Sequence, residues 1–148
     1  MRYTNTKYKF SYEIPEGFEV LDRSDYSRYH IDEVSTLEIL IKYDDANTKS
    51  ISINRDDTFE SVKDYEDLIA LNMANMKKMG MKILSKERMD LTNGRRLDRL
   101  YTAYHGLKYV TYFSNIRNVM IAASVEIIEP QDENERNLLM LFSSIEEA

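Results

Sequence analysis

Two histidines, a few paired carboxylates and an excess of tyrosine are the side chains from which this sequence could build chemistry. His30 and His105 lie 75 residues apart. His105 precedes Gly106 and reads as a turn residue, while His30, close to Asp32 and Glu33, reads as an exposed loop residue or a weak ligand. A hydrolase built on either histidine would need partners that nothing in the spacing supplies. Asp44-Asp45-x-Asn47 and Asp56-Asp57 offer oxygen donors, but neither has the twelve-residue calcium loop with its central glycine and terminal glutamate. The first reads as a hairpin turn and the second as a helix start. There is no cysteine, which excludes disulfides, thiolate metal sites and a cysteine nucleophile. No two of the four glycines lie within ten residues of each other, so no glycine loop cradles a phosphate, and His-Glu-x-x-His is absent. We therefore expect no catalytic residue, no metal and no cofactor, and a protein that is not an enzyme.

Tyrosine is the one anomaly, with eleven residues against no tryptophan. A two-residue turn at Asn93-Gly94 would bring Arg88, Arg99, Tyr101 and Tyr112 to one sheet face, with Arg88 opposite Arg99. Like charges in that position repel unless acidic groups or a ligand lie between them. Arg and Tyr are also the types enriched at protein-binding hot spots. These four are the candidate partner-binding residues. The plainer reading is that the tyrosines pack in the sheet and the acidic C-terminal helix covers the patch.

The element that must position them is a four-stranded meander from Met81 to Ile128. Its turns are Asn93-Gly94, His105-Gly106 and the stretch Asn115 to Asn118. Arg95–Tyr104, Leu107–Ile116 and Val119–Ile128 are rich in Tyr, Val, Ile, Thr and Phe, as strands are; Met81–Leu91 is the weaker first member. Alternation puts Leu97, Arg99, Tyr101, Val110, Tyr112, Ile121, Ala123 and Val125 on one face. Leu100, Thr102, Tyr104, Leu107, Tyr109, Phe113, Met120 and Ala122 take the other. Neither set is polar enough for water, so the sheet should be covered on both sides.

Upstream, Lys7 to Ile14 alternates as a strand and stops at Pro15-Glu16-Gly17; Phe18–Leu21 starts a second, and Asp22–Glu33 reads as a loop. Thr36–Tyr43 and Lys49–Ile53 read as an antiparallel pair joined by Asp44–Thr48. Asp57 with Glu60 has the spacing of a capping box for a helix running to Met79, with Val62, Tyr65, Ile69, Met73 and Met76 as its stripe and Gly80 as its stop. The methionines Met73, Met76 and Met79 could instead offer an adaptable groove to a partner helix. After Pro130, Gln131–Ile145 reads as a second helix presenting Leu138, Leu141, Phe142 and Ile145.

At 148 residues the chain fits one domain, residues 1–148, able to bury about two thirds of its surface. The net charge is −6. It is uneven: residues 81–128 hold eight basic and four acidic side chains, residues 129–148 one and six. A basic sheet under acidic helices follows, and nucleic acid as a partner does not. No run of 18 apolar residues or signal-peptide core is present. A cytoplasmic location is expected for the sequence as written, or an exported or lipid-anchored one if a leader has been removed.

The opening Phe10-Ser11-Tyr12-Glu13-Ile14-Pro15-Glu16-Gly17-Phe18, the long helix after a strand pair, the Thr92-Asn93-Gly94-Arg95 turn and the terminal apolar helix together resemble the PsbP-like family. That fold is shared with the Ran-binding nuclear-transport factor, DcrB-type lipoproteins and Eag-type effector chaperones. The resemblance implies an α+β fold, an antiparallel sheet of about six to seven strands between two main helices, and binding of proteins rather than catalysis. It carries over no individual site residue. The functional expectation is a non-enzymatic protein-binding or chaperone-like domain with an unidentified protein partner. The alternative is a small-molecule or anion-binding domain, such as the soluble part of an envelope lipoprotein.

Overall fold

The computed structural model describes residues 1–32, 35–43 and 48–148, with the side chain of Asp57 left out. The expected turn at Asp44–Asn47 and the acidic Glu33 lie outside the described residues. Among the described residues the chain runs β1 (Arg2–Asn5), β2 (Phe10–Glu13), β3 (Glu19–Val20), β4 (Thr36–Tyr43), β5 (Thr48–Thr58), α1 (Val62–Lys78), β6 (Lys82–Asp90), β7 (Arg96–Tyr104), β8 (Leu107–Ile116), β9 (Val119–Ile127), α2 (Glu133–Ser143) and β10 (Glu146–Glu147).

The expected meander is present as β6 to β9, and it forms one half of a seven-stranded antiparallel sheet of order β3-β4-β5-β9-β8-β7-β6. A small sheet of order β1-β2-β10 stands beside it. The β7–β8 and β8–β9 turns are two residues long, with positive φ at His105 and Gly106 and again at Arg117 and Asn118, the geometry that matches strand twist. Both faces are covered, as the alternation requires. Val110, Tyr112, Ile121 and Ala123 pack with Leu138, Leu141, Phe142 and Ile145 in the larger core. Leu100, Phe113 and Met120 meet Tyr65 and Ile69 of α1 on the opposite side.

Four local expectations are corrected. The first strand is a hairpin: β1 pairs with β2, and residues 6–9 turn between them. Asn5 Oδ1 accepts from the Tyr8 N–H at 2.8 Å, and Lys9 holds a φ of 58°. Lysine there gives none of the Gly or Asn signal by which a turn is recognised.

Helix α1 starts later than Asp57. Strand β5 runs on to Thr58, which pairs with Val119, and Ser61 is the N-cap in a capping box with Asp64. The same motif recurs four residues downstream, and the continuing ladder decides between the two. Val62, expected on the buried stripe, is 59% exposed in consequence. Met73 and Met76 pack against the smaller core, whereas Met79 is exposed.

Helix α2 is capped by Asp132, which accepts from the Glu135 N–H at 3.0 Å, so the helix starts at Glu133 rather than at Gln131 and ends at Ser143, short of Ile145.

The β6–β7 loop holds three residues, not two. Leu91 N–H donates to Arg95 O at 2.9 Å and Gly94 carries the positive φ that closes the turn. That single extra residue moves the partners of Ser85 to Asp90 by one, and a second irregularity between Ile83 and Ser85 moves those of Lys82 and Ile83 by one more. Glu87 therefore faces Arg99, and Arg88 faces Asp98 on the other side of the sheet.

Candidate functional site

Three of the four candidate residues converge. Arg99, Tyr101 and Tyr112 share a face, and what meets them is Glu135 from α2, fully buried. Tyr101 Oη donates to both carboxylate oxygens at 2.7 and 3.0 Å, and Tyr112 Oη to Oε2 at 2.6 Å. Arg99 Nη1 reaches Oε2 at 3.4 Å, and the Gln131 N–H donates to Oε1 at 2.7 Å. Arg99 also pairs with Glu87. Burial, and then the hydrogen bond to Glu135, push both phenols above the ordinary tyrosine range, so each is held as a donor and away from the phenolate a nucleophile would need.

Arg88 does not join them. It is exposed and pairs with Asp90 at 3.1 Å. The like-charge pair expected with Arg99 does not form, because of the loop register.

Glu135 had a sequence signal that composition alone hides. It stands three and seven residues before Leu138 and Phe142, on the apolar face of α2, and a carboxylate there must find buried donors. The tyrosine excess supplies them.

The same chemistry recurs twice. Glu38 of β4, 2% exposed, accepts from Asn5 Nδ2 and from Tyr12 Oη at 3.2 Å. Asp98 is held by Arg96 through two hydrogen bonds of 2.9 and 3.1 Å, with the Arg96 guanidinium over the Tyr65 ring.

Glu38 makes a pH prediction. Burial raises its pKa, and the bonds from Asn5 and Tyr12 only partly offset this. The folded state thus binds the Glu38 proton more tightly than the unfolded chain. Its contribution is fully present below the unfolded carboxyl range and is lost as pH rises through the raised folded value. Glu38→Gln should remove that component. Across that window, the difference in urea midpoint, wild type minus variant, is expected to fall as pH rises, and a difference independent of pH would refute the assignment.

These clusters are internal. One open concavity lies where β5 and β9 part. The two strands pair at Asn54↔Ala122 and Arg55↔Ile121, and beyond a bulge at Thr58↔Val119. A bulge bends the strand that carries it. Back from Asn54 to Thr48, and on from Ala122 to Ile127, the strands make no mutual pairs. A cleft of 460 Å³ opens between these arms on the α2 side, with Phe18, Ile51 and Val125 among its walls and Lys49, Glu126 and Asn134 at its polar edge. Asn134 bridges the arms, accepting from Lys49 Nζ at 3.2 Å and donating to Glu126 O at 3.0 Å. On the α1 side a second cavity of 270 Å³ reaches the same gap past Ser52, Asn54, Ser124 and Met76.

His105 sits in its hairpin turn with its ring against Tyr104, at 4.0 Å between centroids.

The arrangement of the whole chain has a counterpart of known structure. It aligns with the solution structure of cyanobacterial PsbP (CyanoP) from Synechocystis sp. PCC 6803 at a TM-score of 0.67, over 100% of this chain and 92% of that one. The fold is PsbP-like. The two sequences are 13% identical, so what they share is the fold. No protein-family model and no curated protein sequence matches. In this fold the Phe10–Phe18 stretch is β2 of the small sheet with the turn that follows it, and Thr92–Arg95 spans the β6–β7 loop of the large one. No helix among the described residues is long and apolar enough to cross a membrane.

Proposed function

We propose that this domain is a non-enzymatic, chaperone-like protein-binding module that takes an extended segment of another chain into the cleft between β5 and β9. The observation that carries this reading is the parting of two strands whose pairing stops at Asn54 and Ala122 while both run on. A strand edge offers backbone N–H and C=O groups that an added strand can satisfy, and alternate side chains then enter pockets on either face. Here there is a cavity on each face of the gap. Its lining mixes apolar residues with one cation, one anion and amides, which suits a peptide better than a charged metabolite.

The test is selection from a displayed library of peptides of about ten residues, enough to run along both arms. A selected peptide should slow amide exchange at residues 48–52 and 123–127. Val125→Trp, which fills the cleft from its wall, is expected to weaken binding at least about tenfold. Arg88→Glu, on the far edge of the sheet, should leave it unchanged. Undiminished binding to Val125→Trp, or protection elsewhere, would remove the cleft from consideration.

A further inference from the structure

A different concavity, independent of the cleft, lies where the β1–β2 turn meets β4, β5 and the β8–β9 turn. It measures 230 Å³. Its floor is Phe10, Leu37, Ile116 and Ile121, all buried, with Tyr8 and Val119 half-buried in the wall. The rim is cationic, with Lys7, Lys9, Arg55 and Arg117, and among the described residues no carboxylate lines it. Lys7 Nζ and the guanidinium carbons of Arg23 and Arg55 stand 5.2, 5.6 and 5.4 Å from the centre of the Tyr8 ring.

Three cations around one ring are an unusual concentration on a chain of net charge −6. Each is attracted to the ring face, and they repel one another. Lys7 and Lys9 are exposed, and among the described residues neither takes part in an ion pair. Arg117 is already engaged, donating from its side chain to Ala148 O at 2.5 Å and from its backbone N–H to Glu147 Oε1 at 3.1 Å. The two lysines are therefore the rim's available cations.

An apolar floor under a basic rim selects an apolar chain that ends in an anion. The volume falls below the roughly 300–1,000 Å³ of sites for drug-sized molecules. It excludes a nucleotide or a large cofactor and fits a short alkyl chain. We infer that this cavity binds a free medium-chain alkyl carboxylate, with the chain on the floor and the head group at Lys7 and Lys9.

The experiment titrates the full chain with hexanoate, octanoate and decanoate below their micelle concentrations. Calorimetry gives the affinity and backbone amide shifts give the place. Affinity should rise about fourfold per added methylene until the floor is filled, with shifts at residues 7–10 and 116–121. Nonyltrimethylammonium, which has the nine-carbon tail of decanoate and the opposite charge, should bind at least about tenfold more weakly. Lys7→Glu combined with Lys9→Glu should reverse that preference. Both positions are exposed and outside the core, so the variant keeps the fold, and its unchanged amide spectrum elsewhere checks this. Equal binding of the two head groups, or shifts away from this cavity, overturns the inference. So does binding of phosphatidylglycerol vesicles, or of an acidic leucine-bearing peptide, without binding of free decanoate.

Discussion

Glu135→Ala is expected to destabilise the fold by about 3–5 kcal/mol, the range for removing one partner of a buried ion pair. Arg99, only 11% exposed in its side chain, would lose one of its two carboxylates. The Tyr101 and Tyr112 hydroxyls and the Gln131 N–H would lose their acceptor together. Glu135→Gln keeps one carbonyl acceptor and should cost less. Urea unfolding with an unchanged slope measures both. A loss below about 1 kcal/mol for the alanine variant would mean that Glu87 and water satisfy these donors unaided, and that the buried carboxylate does not hold α2 in place.

Phe142→Ala should cost about as much, 3–5 kcal/mol, by a different route. Phe142 is fully buried, and its ring lies 5.8 Å from that of Tyr112. Its removal leaves a void between α2 and the sheet. For a chain of this size, each kcal/mol lowers the melting temperature by about 2–4 °C. Since Glu135 and Phe142 both touch Tyr112 from one helix, the double variant is expected to lose less than the sum of the single variants. Strict additivity would show that the polar and apolar halves of this contact act independently.

The meander was readable because its turn residues are punctuation with a mechanism. Asn93-Gly94 and His105-Gly106 mark positive φ, and alternation then sorts Leu97, Tyr101 and Val110 from Leu100 and Phe113 without further information. The small sheet was not readable. Strands β1 and β10 have four and two residues, too short for a period, and Lys9 turns the chain without a turn residue's signature. Arg88 was misplaced by one residue of loop length, because a side-chain period of two converts a single step into a change of face. Helix α1 offered two successive capping motifs, Asp57 with Glu60 and Ser61 with Asp64, and only the ladder from β5 to β9 chooses between them. The parting of β5 from β9 could not be foreseen, since both segments read as ordinary strands and where two such strands stop pairing is set by tertiary packing. The apolar cavity with the basic rim joins four segments distant in sequence, and no local pattern marks it.

Strand β6 forms a nine-residue edge of the large sheet, and its residues Lys82, Lys86, Glu87, Arg88 and Asp90 are charged and exposed. Strand β3, at the opposite edge, has two residues. An edge dressed in mixed charge resists being extended by a neighbouring molecule, and a two-residue edge gives a neighbour little to hold. Neither edge of the large sheet thus offers a long apolar template for open-ended strand addition. The arms at Thr48–Ile53 and Ala123–Ile127 pair outward with β4 and β8 but not with each other, so in the binding mode proposed above one added strand would fill the gap and leave no free edge within the sheet for a second.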